Sequence, residues 1–544
     1  MHVTRLAAAV AACLAAGPAL AASPFTFSHE WTFGHTGNGL SQAQGAEIVS
    51  FDAATRRLWI VGTDANVASP VGRSGIDVLD LDGSFHASID LQSIGGVNSV
   101  DVANGKAAVA ITAPLKTDPG FVRFYDTTSL DALATVAVGA NPDNVVYAPD
   151  GRTLLVANEG EPLDFTLPVG GDAEGSVGIV DAETYAVSTA GFGSFDTASL
   201  QAQGVRLFGP NQTPALNLEP EYVAVSSDGR TAVATLQEAN AVAFVDLATR
   251  QVTAIKAMGL KDHGLPGNAL DVSDRDGAGN AALNGNLGNW QVQGIYMPDG
   301  IAGFTQDGQQ FYVTANEGDG RQDWPGFEEE VRVGAADIDP ALDAALRLAH
   351  GDDYKTSNDK LSRLTVSVTG DTDGDGDLDR LLAFGGRSFS ILDADGNLVF
   401  DSGDQLEQIV QAFDAADALA GNLLPDLWDD GRSDNKGPEP ESVVIGELAG
   451  RTLMFLGLER SNAVMVWDLT EREAPSFLDF LFTAGDVGPE GLHFFTDGGK
   501  GYLAVANEVS GTTSLYSVQP VPVPGALWLM GSAIAAATLR RRQR

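Results

Sequence analysis

The 544-residue sequence is short of cysteine, histidine and basic residues. Its single cysteine, Cys13, lies in an N-terminal apolar segment, so a mature chain without that segment has no disulfide and no thiol chemistry. Its seven histidines are scattered without ligand spacing, which argues against a histidine-bound zinc site. With 32 Lys and Arg against 73 Asp and Glu, the net charge of −41 repels nucleic acid and excludes a nucleic-acid-binding role.

The sequence also lacks the motifs of several large enzyme classes. It has no Gly-x-Ser-x-Gly elbow, no His-Glu-x-x-His pair, no P-loop and no dinucleotide-binding fingerprint on a βαβ unit. These absences argue against the common serine hydrolase, zinc protease, nucleotide-binding and dehydrogenase sites.

The N-terminal residues 1–21 predict a secretory signal peptide. A positively charged start is followed by the alanine-rich apolar run Leu6 to Leu20, and small residues precede a cleavage point after Ala21. An alternative is lipoprotein processing at Cys13, because Val10-Ala11-Ala12-Cys13 has the form of a lipoprotein box. Both interpretations export the chain from the cytoplasm.

The C-terminal residues 519–544 predict a sorting signal with a membrane helix. A Pro-rich spacer is followed by the apolar stretch Ala526 to Leu539 and by an arginine cluster that stays on the cytoplasmic side. At ~1.5 Å per residue the stretch spans ~22 Å, short of the ~30 Å hydrocarbon core. The tail resembles the PEP-CTERM class in its VPLPA-like variant, which implies exosortase-type sorting machinery as a partner. The alternative is an ordinary C-terminal membrane anchor; either one leaves the body extracellular or periplasmic and held at the membrane or cell surface.

Seven copies of one phrase run through the body of the chain. An acidic residue leads a β-branched run, and an Asp-Gly turn often separates this run from a second apolar run that ends in Asn-Glu. The basic period of about 45 to 50 residues is that of one four-stranded propeller blade. The repeat predicts an all-β, seven-bladed β-propeller with YVTN-like repeats over residues 25–518, with six or eight blades as alternatives. We expect the strand Phe25 to Ser28 to close the ring, and long loop insertions at about 160–217, 261–295 and 319–435.

The leading position of each copy is acidic in six of the seven. Since the first strand of each blade lines the channel, we expect these side chains to converge at one mouth, where carboxylates need cations or raised pKa values. Hard oxygen ligands favour Ca²⁺, with another divalent metal as the alternative. The other interpretation is that each side chain binds backbone at the start of its blade. The seven positions are Glu47, Asn98, Asp143, Glu221, Asp299, Glu441 and Glu490; as metal ligands we predict Glu221, Asp299, Glu441 and Glu490, together with Glu317.

A second candidate cation site is the acidic stretch from Asp371 to Asp379. Oxygen ligands at positions one, three and five and Gly376 at position six match an EF-hand-type loop, but Leu382 stands where the twelfth-position Glu belongs. Apolar runs on both sides predict strands, so we expect a hairpin loop that binds Ca²⁺, or else an exposed acidic turn. The predicted ligands are Asp371, Asp373, Asp375, Asp377 and Asp379.

A third group of residues combines acidic and guanidinium side chains. Asp319 and Arg321, with Arg387 farther along the chain, have the composition of a site that holds a metal and a phosphate together, since Arg binds phosphate in bidentate fashion. Structural salt bridges are the alternative explanation. We therefore take Asp319, Arg321 and Arg387 as candidate catalytic residues.

Several motifs of the sequence together resemble the choice-of-anchor I family, over about Thr26 to Val518. The resemblance implies a propeller and extracellular placement, because this family includes bacterial surface proteins and mesenchyme-specific cell surface glycoproteins linked to biomineralisation. Some relatives are labelled alkaline phosphatases, whereas this sequence lacks the serine nucleophile context and the histidine-rich metal centre of ordinary alkaline phosphatases. The matching motifs are Asn316 to Asp319, Glu329 to Val333, Asp371 to Asp379, Phe384 to Ser390, Asp434 to Glu441 and Leu458 to Arg460.

The sequence thus predicts an exported, surface-anchored propeller that binds divalent cations and an extracellular ligand such as a matrix component, without catalysis. The alternative is an alkaline-phosphatase-like, Ca²⁺-dependent phosphatase or phosphodiesterase that acts on small phosphoesters at the channel mouth.

Overall fold

The computed structural model describes residues 23–35, 45–63, 74–167, 171–277, 286–322, 324–420 and 427–521. The predicted signal peptide lies outside these ranges, and so does the predicted C-terminal anchor beyond Val521. Among the helices of the described ranges, none has the length and apolar character needed to cross a membrane.

Seven four-stranded sheets, here numbered in the order of their first strands, make up most of the described chain. Each sheet is built of antiparallel strands that follow one another in the chain, with two exceptions: other strands intervene between the second and third strands of sheet 5, and sheet 7 takes its fourth strand from the N-terminus. The strands are Gly45–Asp52, Arg57–Thr63, Gly75–Asp80 and Phe85–Asp90 (sheet 1); Gly96–Ala103, Lys106–Thr112, Pro119–Asp126 and Ala132–Ala140 (sheet 2); Pro142–Tyr147, Thr153–Asn158, Ser176–Asp181 and Val187–Gly191 (sheet 3); Pro220–Val225, Thr231–Leu236, Ala241–Asp246 and Gln251–Ala257 (sheet 4); Ile301–Gln306, Gln309–Asn316, Ser388–Asp393 and Leu398–Asp401 (sheet 5); Pro440–Leu448, Arg451–Leu458, Ala463–Asp468 and Ser476–Leu481 (sheet 6); and Pro489–Asp497, Lys500–Asn507, Thr512–Pro520 and Phe25–Gly34 (sheet 7).

The first strands of the seven sheets contact one another in a closed ring. Each first strand touches the first strand of the next sheet, and the first strand of sheet 7 touches that of sheet 1. Backbone atoms of neighbouring first strands come into direct contact, as where Gly300 N donates to Glu441 O at 2.9 Å. Sheets arranged around an axis in this way form a β-propeller, which confirms the predicted all-β propeller fold.

Apolar side chains pack between every two neighbouring sheets. Strand alternation sends successive residues to opposite neighbours: in Thr153–Asn158, Leu154 and Val156 pack against sheet 2, whereas Leu155 and Ala157 pack against sheet 4. Each of the seven sheet-to-sheet interfaces has its own cluster of buried apolar residues. The hydrophobic core is therefore distributed around the ring and surrounds the axis without filling it.

A further, five-stranded sheet joins two of the predicted insertions. Its strand order is Leu260–Asp262, Gln293–Ile295, Leu382–Phe384, Thr365–Ser367 and Glu330–Arg332. Strands from the segment that precedes sheet 5 thus pair with strands from the segment that connects the second and third strands of sheet 5. The described helices are Thr197–Ala202, Pro214–Asn217, Pro340–His350 and Gln405–Ala420, with 3-10 turns at Leu361–Arg363, Val368–Gly370 and Asp430–Arg432.

Two of the predicted insertions are narrower than expected. The interval 160–217 contains the third and fourth strands of sheet 3, and the interval 319–435 contains those of sheet 5. The third strands of both sheets are almost wholly buried and only the fourth strands are less so, and in each of these sheets the insertion separates the second strand from the third.

The N-terminal strand closes the ring, as predicted. Phe25–Gly34 pairs antiparallel with Thr512–Pro520 along almost its whole length. Next to it, the fully buried His35 ring lies between the first and last sheets: its Nδ1 is 2.7 Å from Asp77 Oδ2 and its Nε2 is 2.8 Å from Thr513 Oγ1. Asp77 also accepts a hydrogen bond from Ser88. A buried polar chain therefore links the two sheets where the ring closes.

We expect His35→Phe to lower the free energy of unfolding by roughly 2–4 kcal/mol, because it leaves the buried Asp77 carboxylate without its ring partner. Chemical denaturation of the purified protein measures this loss. His29→Phe, on the exposed surface of the same strand, is the matched control and should change stability by less than about 0.5 kcal/mol. Equal effects of the two substitutions would show that the buried chain does not stabilise the closure.

Candidate functional site

A cavity of about 520 Å³ lies on the axis, where the first strands begin. All seven leading positions predicted from the repeat line it, one from each sheet. The sequence expectation that these side chains converge is therefore confirmed. The lining residues from the leading positions are Glu47, Asn98, Asp143, Glu221, Asp299, Glu441 and Glu490.

Local backbone features aim these side chains at the axis. In six of the seven sheets the register of the first strand shifts at the leading residue, which is a β-bulge. A bulge redirects a side chain away from the regular alternation of the strand. In four sheets a residue with positive φ, then a proline, precedes the acidic residue, as in Glu439-Pro440-Glu441 with φ +49° at Glu439. The proline costs no ladder hydrogen bond because it stands first in the strand.

A second tier of carboxylates interleaves with the first. In sheets 3 to 7 a glutamate lies one or two residues after the second strand, beside the leading residue of its own sheet and that of the next sheet. Burial, and then repulsion from Glu159 and Glu238 on its two sides, raises the pKa of Glu221 well above its usual range. The same relation places Glu508 between Glu490 and Glu47. The second-tier residues are Glu159, Glu238, Glu317, Glu459 and Glu508.

The two cations that line the cavity lie on one side of it. Lys436 Nζ is 2.7 Å from Asp319 Oδ1 and 3.3 Å from Glu317 Oε1, and Arg460 Nη1 is 3.0 Å from Glu459 Oε1. Although burial alone would lower it, the attraction of Glu317, Asp319 and Glu439 raises the pKa of Lys436 well above its usual range. Both cations are therefore charged and neutralise the sheet 5 and sheet 6 side of the cavity.

Five of the leading carboxylates have no such partners in the described part of the chain. Within the described residues, no hydrogen bond or ion pair reaches the side chains of five leading residues: Asp143, Glu221, Asp299, Glu441 and Glu490. Oε2 of Glu441 and Oε2 of Glu490 are completely buried without a hydrogen-bond partner. The alternative that these acids bind backbone at the start of each blade is therefore wrong for these five residues.

Burial and mutual repulsion shift the titration of these acids upward. Burial, and then repulsion from Glu161, raises the pKa of Asp143 to about 7. Burial first, and then Glu317, raises the pKa of Asp299 well above its ordinary value, and burial followed by Glu490 does the same for the pKa of Glu441. Carboxylates in this state either hold protons near neutral pH or bind a cation in their place.

The acidic loop from Asp371 to Asp379 lies apart, in the five-stranded sheet. It connects the antiparallel strands Thr365–Ser367 and Leu382–Phe384, which confirms the predicted hairpin. Asp371 accepts hydrogen bonds from Gly374 N at 2.7 Å and from Gly376 N at 3.0 Å, so its carboxylate organises the turn.

Four of the five predicted carboxylates approach one another, and one from outside the loop joins them. Oxygens of Asp371, Asp373 and Asp379 lie within 4.8 Å of one another, and so do those of Asp339, Asp377 and Asp379. Asp375 belongs to neither trio; its Oδ1 accepts from Asp377 N at 3.2 Å. Asp339 lies at the start of the helix Pro340–His350. The spacing of the acidic residues within the loop does not indicate that this residue is close to them.

The predicted phosphate clamp is contradicted by the structure. Asp319 lines the axial cavity, but Arg321 and Arg387 do not, and both arginines are 1% exposed. Arg321 donates to Phe208 O, Asn217 O and Glu219 Oε1. The Arg387 guanidinium donates to Glu407 Oε1 and to three backbone carbonyl oxygens, those of residues 271, 433 and 435. Both therefore join the insertions to the propeller and cannot reach a substrate in the cavity.

Several lining residues were missed in the sequence. The second-tier glutamates were recognisable in the sequence, since four of the five follow an Asn or Gln at the end of an apolar run. Of these five, only Glu317 was predicted to be a metal ligand. Lys436 and Arg460 lie within stretches that resemble the family, but neither they nor Gln237 occupy a position that recurs in every repeat, so the repeat did not single them out. Gln237 Nε2 donates to Glu317 Oε2 at 2.7 Å.

Known proteins with related sequences are few and partial. A mesenchyme-specific cell surface glycoprotein of Strongylocentrotus purpuratus is 27% identical over 274 residues, which are 45% of this chain and 34% of the relative. Gigasin-3a of Magallana gigas is 28% identical over 195 residues, which are 30% of this chain and 68% of the relative. This chain thus matches only about a third of the length of the sea urchin protein.

Solved structures of low similarity include hydrazine synthase of Kuenenia stuttgartiensis and the β-propeller domain of Cps50 (Swd1) from Myceliophteria thermophila. The first has a TM-score of 0.44 at 12% identity and covers 89% of this chain and 98% of its own. The second has a TM-score of 0.43 at 9% identity and covers 91% and 100%. Scores at this level carry no argument, and the architecture described above follows from the sheets themselves.

A family model gives the firmest relation. The model of the choice-of-anchor I domain matches residues 47–472, from the first leading carboxylate to the third strand of sheet 6 and just beyond. This match spans well over half of the chain, and the chain therefore belongs to the choice-of-anchor I domain family.

Proposed function

We propose that this chain is an extracellular, non-catalytic, seven-bladed β-propeller that binds divalent cations, Ca²⁺ first, in its axial carboxylate ring. The observation that carries the proposal is the set of five leading carboxylates without a hydrogen bond or ion pair in the described protein. Buried charges are normally paired or coordinate a metal. The extracellular placement is supported by the family and by the surface glycoprotein among the relatives.

The chemistry of the ring favours a hard cation. Every uncompensated group is a carboxylate, and Ca²⁺ takes six to eight oxygen ligands in flexible geometry, including waters. A cavity of about 520 Å³ has room for the ion and for several waters at ~30 Å³ each. We place the ion beside Asp143 and Glu221, on the sheet 3 and sheet 4 side away from Lys436 and Arg460, with Asp299 as the next ligand around the ring.

We propose a second, weaker Ca²⁺ site in the acidic loop. Asp379 belongs to both carboxylate trios, so an ion bound there would tie the loop to Asp339 at the start of the helix Pro340–His350. Extracellular modules bind Ca²⁺ with a Kd on the order of 10⁻⁴–10⁻³ M, a range that suits an exposed site. The sorting machinery, the membrane helix and a matrix ligand remain predictions from the sequence.

Calcium should raise the melting temperature of chelator-treated protein, because a ligand that binds only the native state stabilises it by about 2.7 kcal/mol at 100 times its Kd. Differential scanning fluorimetry with and without CaCl₂ measures this shift. Glu221→Gln combined with Asp299→Asn should lose most of it. Asp352→Asn, whose side chain is 94% exposed, removes charge without touching the ring and should keep the full shift. A melting temperature that ignores Ca²⁺ in the wild type would refute cation binding.

Without metal, the protein should become less stable as the pH rises from about 5 to 8. The ring acids have folded pKa values above their unfolded ones, so the native state binds more protons in this range and its stability falls with rising pH. For Asp143 the pH window of this loss runs from its ordinary pKa of 3.8 to its folded pKa of about 7. Each unit of difference between the two pKa values corresponds to ~1.4 kcal/mol of stability. Unfolding curves at several pH values in chelator test this fall, and saturating Ca²⁺ should flatten it. A metal-free stability that is constant or rises over this range would contradict the proposed electrostatics.

Asp379→Asn should abolish the weaker Ca²⁺ site while the ring site stays intact, because both trios lose a shared carboxylate. Isothermal titration calorimetry resolves the two classes of site. Asp375→Asn removes an equal charge from the same loop, but outside both trios, and serves as the control. Loss of the weaker site in both variants would mean that only the loop's total charge matters.

A further inference from the structure

The axial channel has a second compartment beyond the acidic cavity. This second cavity, of about 250 Å³, is lined by residues from all seven first strands. Only Ile48, Tyr222 and Glu490 line both cavities, so the two compartments meet at these three side chains.

The walls of the two compartments differ in chemistry. The acidic cavity is lined almost entirely by charged and amide side chains. The second compartment has mainly Val, Ile and Leu in its wall, and Asp101 and His493 are the ionisable groups that it does not share with the acidic cavity. A hydrated cation therefore finds its oxygen ligands on one side of the junction.

Tyr222 reaches the axis from sheet 4. After burial, the charges that raise the pKa of its phenol are those of Asp299, Glu490, Asp143 and Glu441, in that order. These four carboxylates belong to sheets 5, 7, 3 and 6. Tyr222 lines the acidic cavity together with these four carboxylates and also lines the second compartment, so its side chain lies at the junction of the two.

No other sheet has a comparable side chain at this position. The residue after each leading position is Ile48, Ser99, Asn144, Tyr222, Gly300, Ser442 or Gly491 in sheets 1 to 7. A Cβ at Gly300 would lie 2.4 Å from Glu441 O, and one at Gly491 would lie 2.1 Å from Glu47 O, so neighbouring strands leave no room there. Tyr222 is the one long side chain among the seven.

We propose that Tyr222 divides the axial channel, so that the carboxylate ring binds its cation in a blind cavity directly above the phenol hydroxyl. This inference rests on the proposed cation binding. The Tyr222 side chain is the floor of the site, because it lines both compartments. The ion then enters and leaves only through the mouth at Asp319 and Arg460, whose side chains are 46% and 37% exposed.

Terbium luminescence tests the position of the hydroxyl. Tb³⁺ replaces Ca²⁺ on carboxylates and emits when a nearby phenol is excited, and Tyr222 is the only aromatic side chain in the described lining of the acidic cavity. With the loop site removed by Asp379→Asn, Tyr222→Phe should lose most of the tyrosine-excited emission. Calorimetry should still show Tb³⁺ bound with unchanged stoichiometry, since phenylalanine keeps the floor.

Release kinetics test the division of the channel. Stopped-flow mixing with chelator should give several-fold faster Tb³⁺ release in Tyr222→Ala than in the wild type, whereas Tyr222→Phe should release at the wild-type rate. Ile48→Ala is the matched control, because Ile48 follows the leading residue of sheet 1 and also lines both compartments. It should release Tb³⁺ at the wild-type rate.

The outcomes separate the two proposals. Absence of any Tb³⁺ or Ca²⁺ binding in the wild type refutes the proposed function itself. Binding with full emission in Tyr222→Phe, or equal release rates in wild type and Tyr222→Ala, overturns the role of Tyr222 and leaves cation binding in place. Faster release in Ile48→Ala as well as in Tyr222→Ala would also overturn it, because the boundary would then not depend on the phenol.

Discussion

Repulsion among like charges at the axis is the constraint to which the rest of the structure is adapted. Six carboxylates and one amide lead the seven first strands, and the ring geometry forces them into one cavity. The apolar clusters between neighbouring sheets supply the free energy that opposes this repulsion. They hold the first strands in place although the repulsion between their carboxylates would push them apart. Because that core surrounds the axis, the channel can remain polar without a gap in the hydrophobic packing.

The insertions adjust this arrangement on one side only. Lys436, from the segment before sheet 6, enters the cavity between Glu317 and Asp319 and neutralises that side. The buried arginines Arg321 and Arg387 hold these segments to the propeller through backbone carbonyl groups as well as carboxylates. Both guanidinium groups are buried and donate through their Nη atoms, whereas Nε of each has no partner among the described residues, so each arginine acts as a structural tie through its Nη bonds.

The repeat made the fold and the carboxylate ring predictable, since one phrase places one residue type at one position in every blade. Asp143 and Glu490 could be assigned to the same cavity although almost 350 residues separate them, because the propeller symmetry does the positioning. The roles of Arg321 and Arg387 could not be assigned in this way. Their partners at Phe208 and Ser433 lie in irregular segments, and no periodicity indicates which way an arginine in such a segment points. The approach of Asp339 to the acidic loop could not be predicted for the same reason, because Asp339 lies at the start of a helix outside the loop.

The strand Thr512–Pro520 occupies the third place in sheet 7, between Lys500–Asn507 and the N-terminal Phe25–Gly34. It is thus an interior strand of the sheet, and the N-terminal strand forms the outer edge beside it. A pull on the chain beyond Val521 would load two rows of backbone hydrogen bonds in shear at once, which must break together for the strand to slide. The first and last described strands therefore share one mechanical joint, and its strength depends on both having been folded into the same sheet.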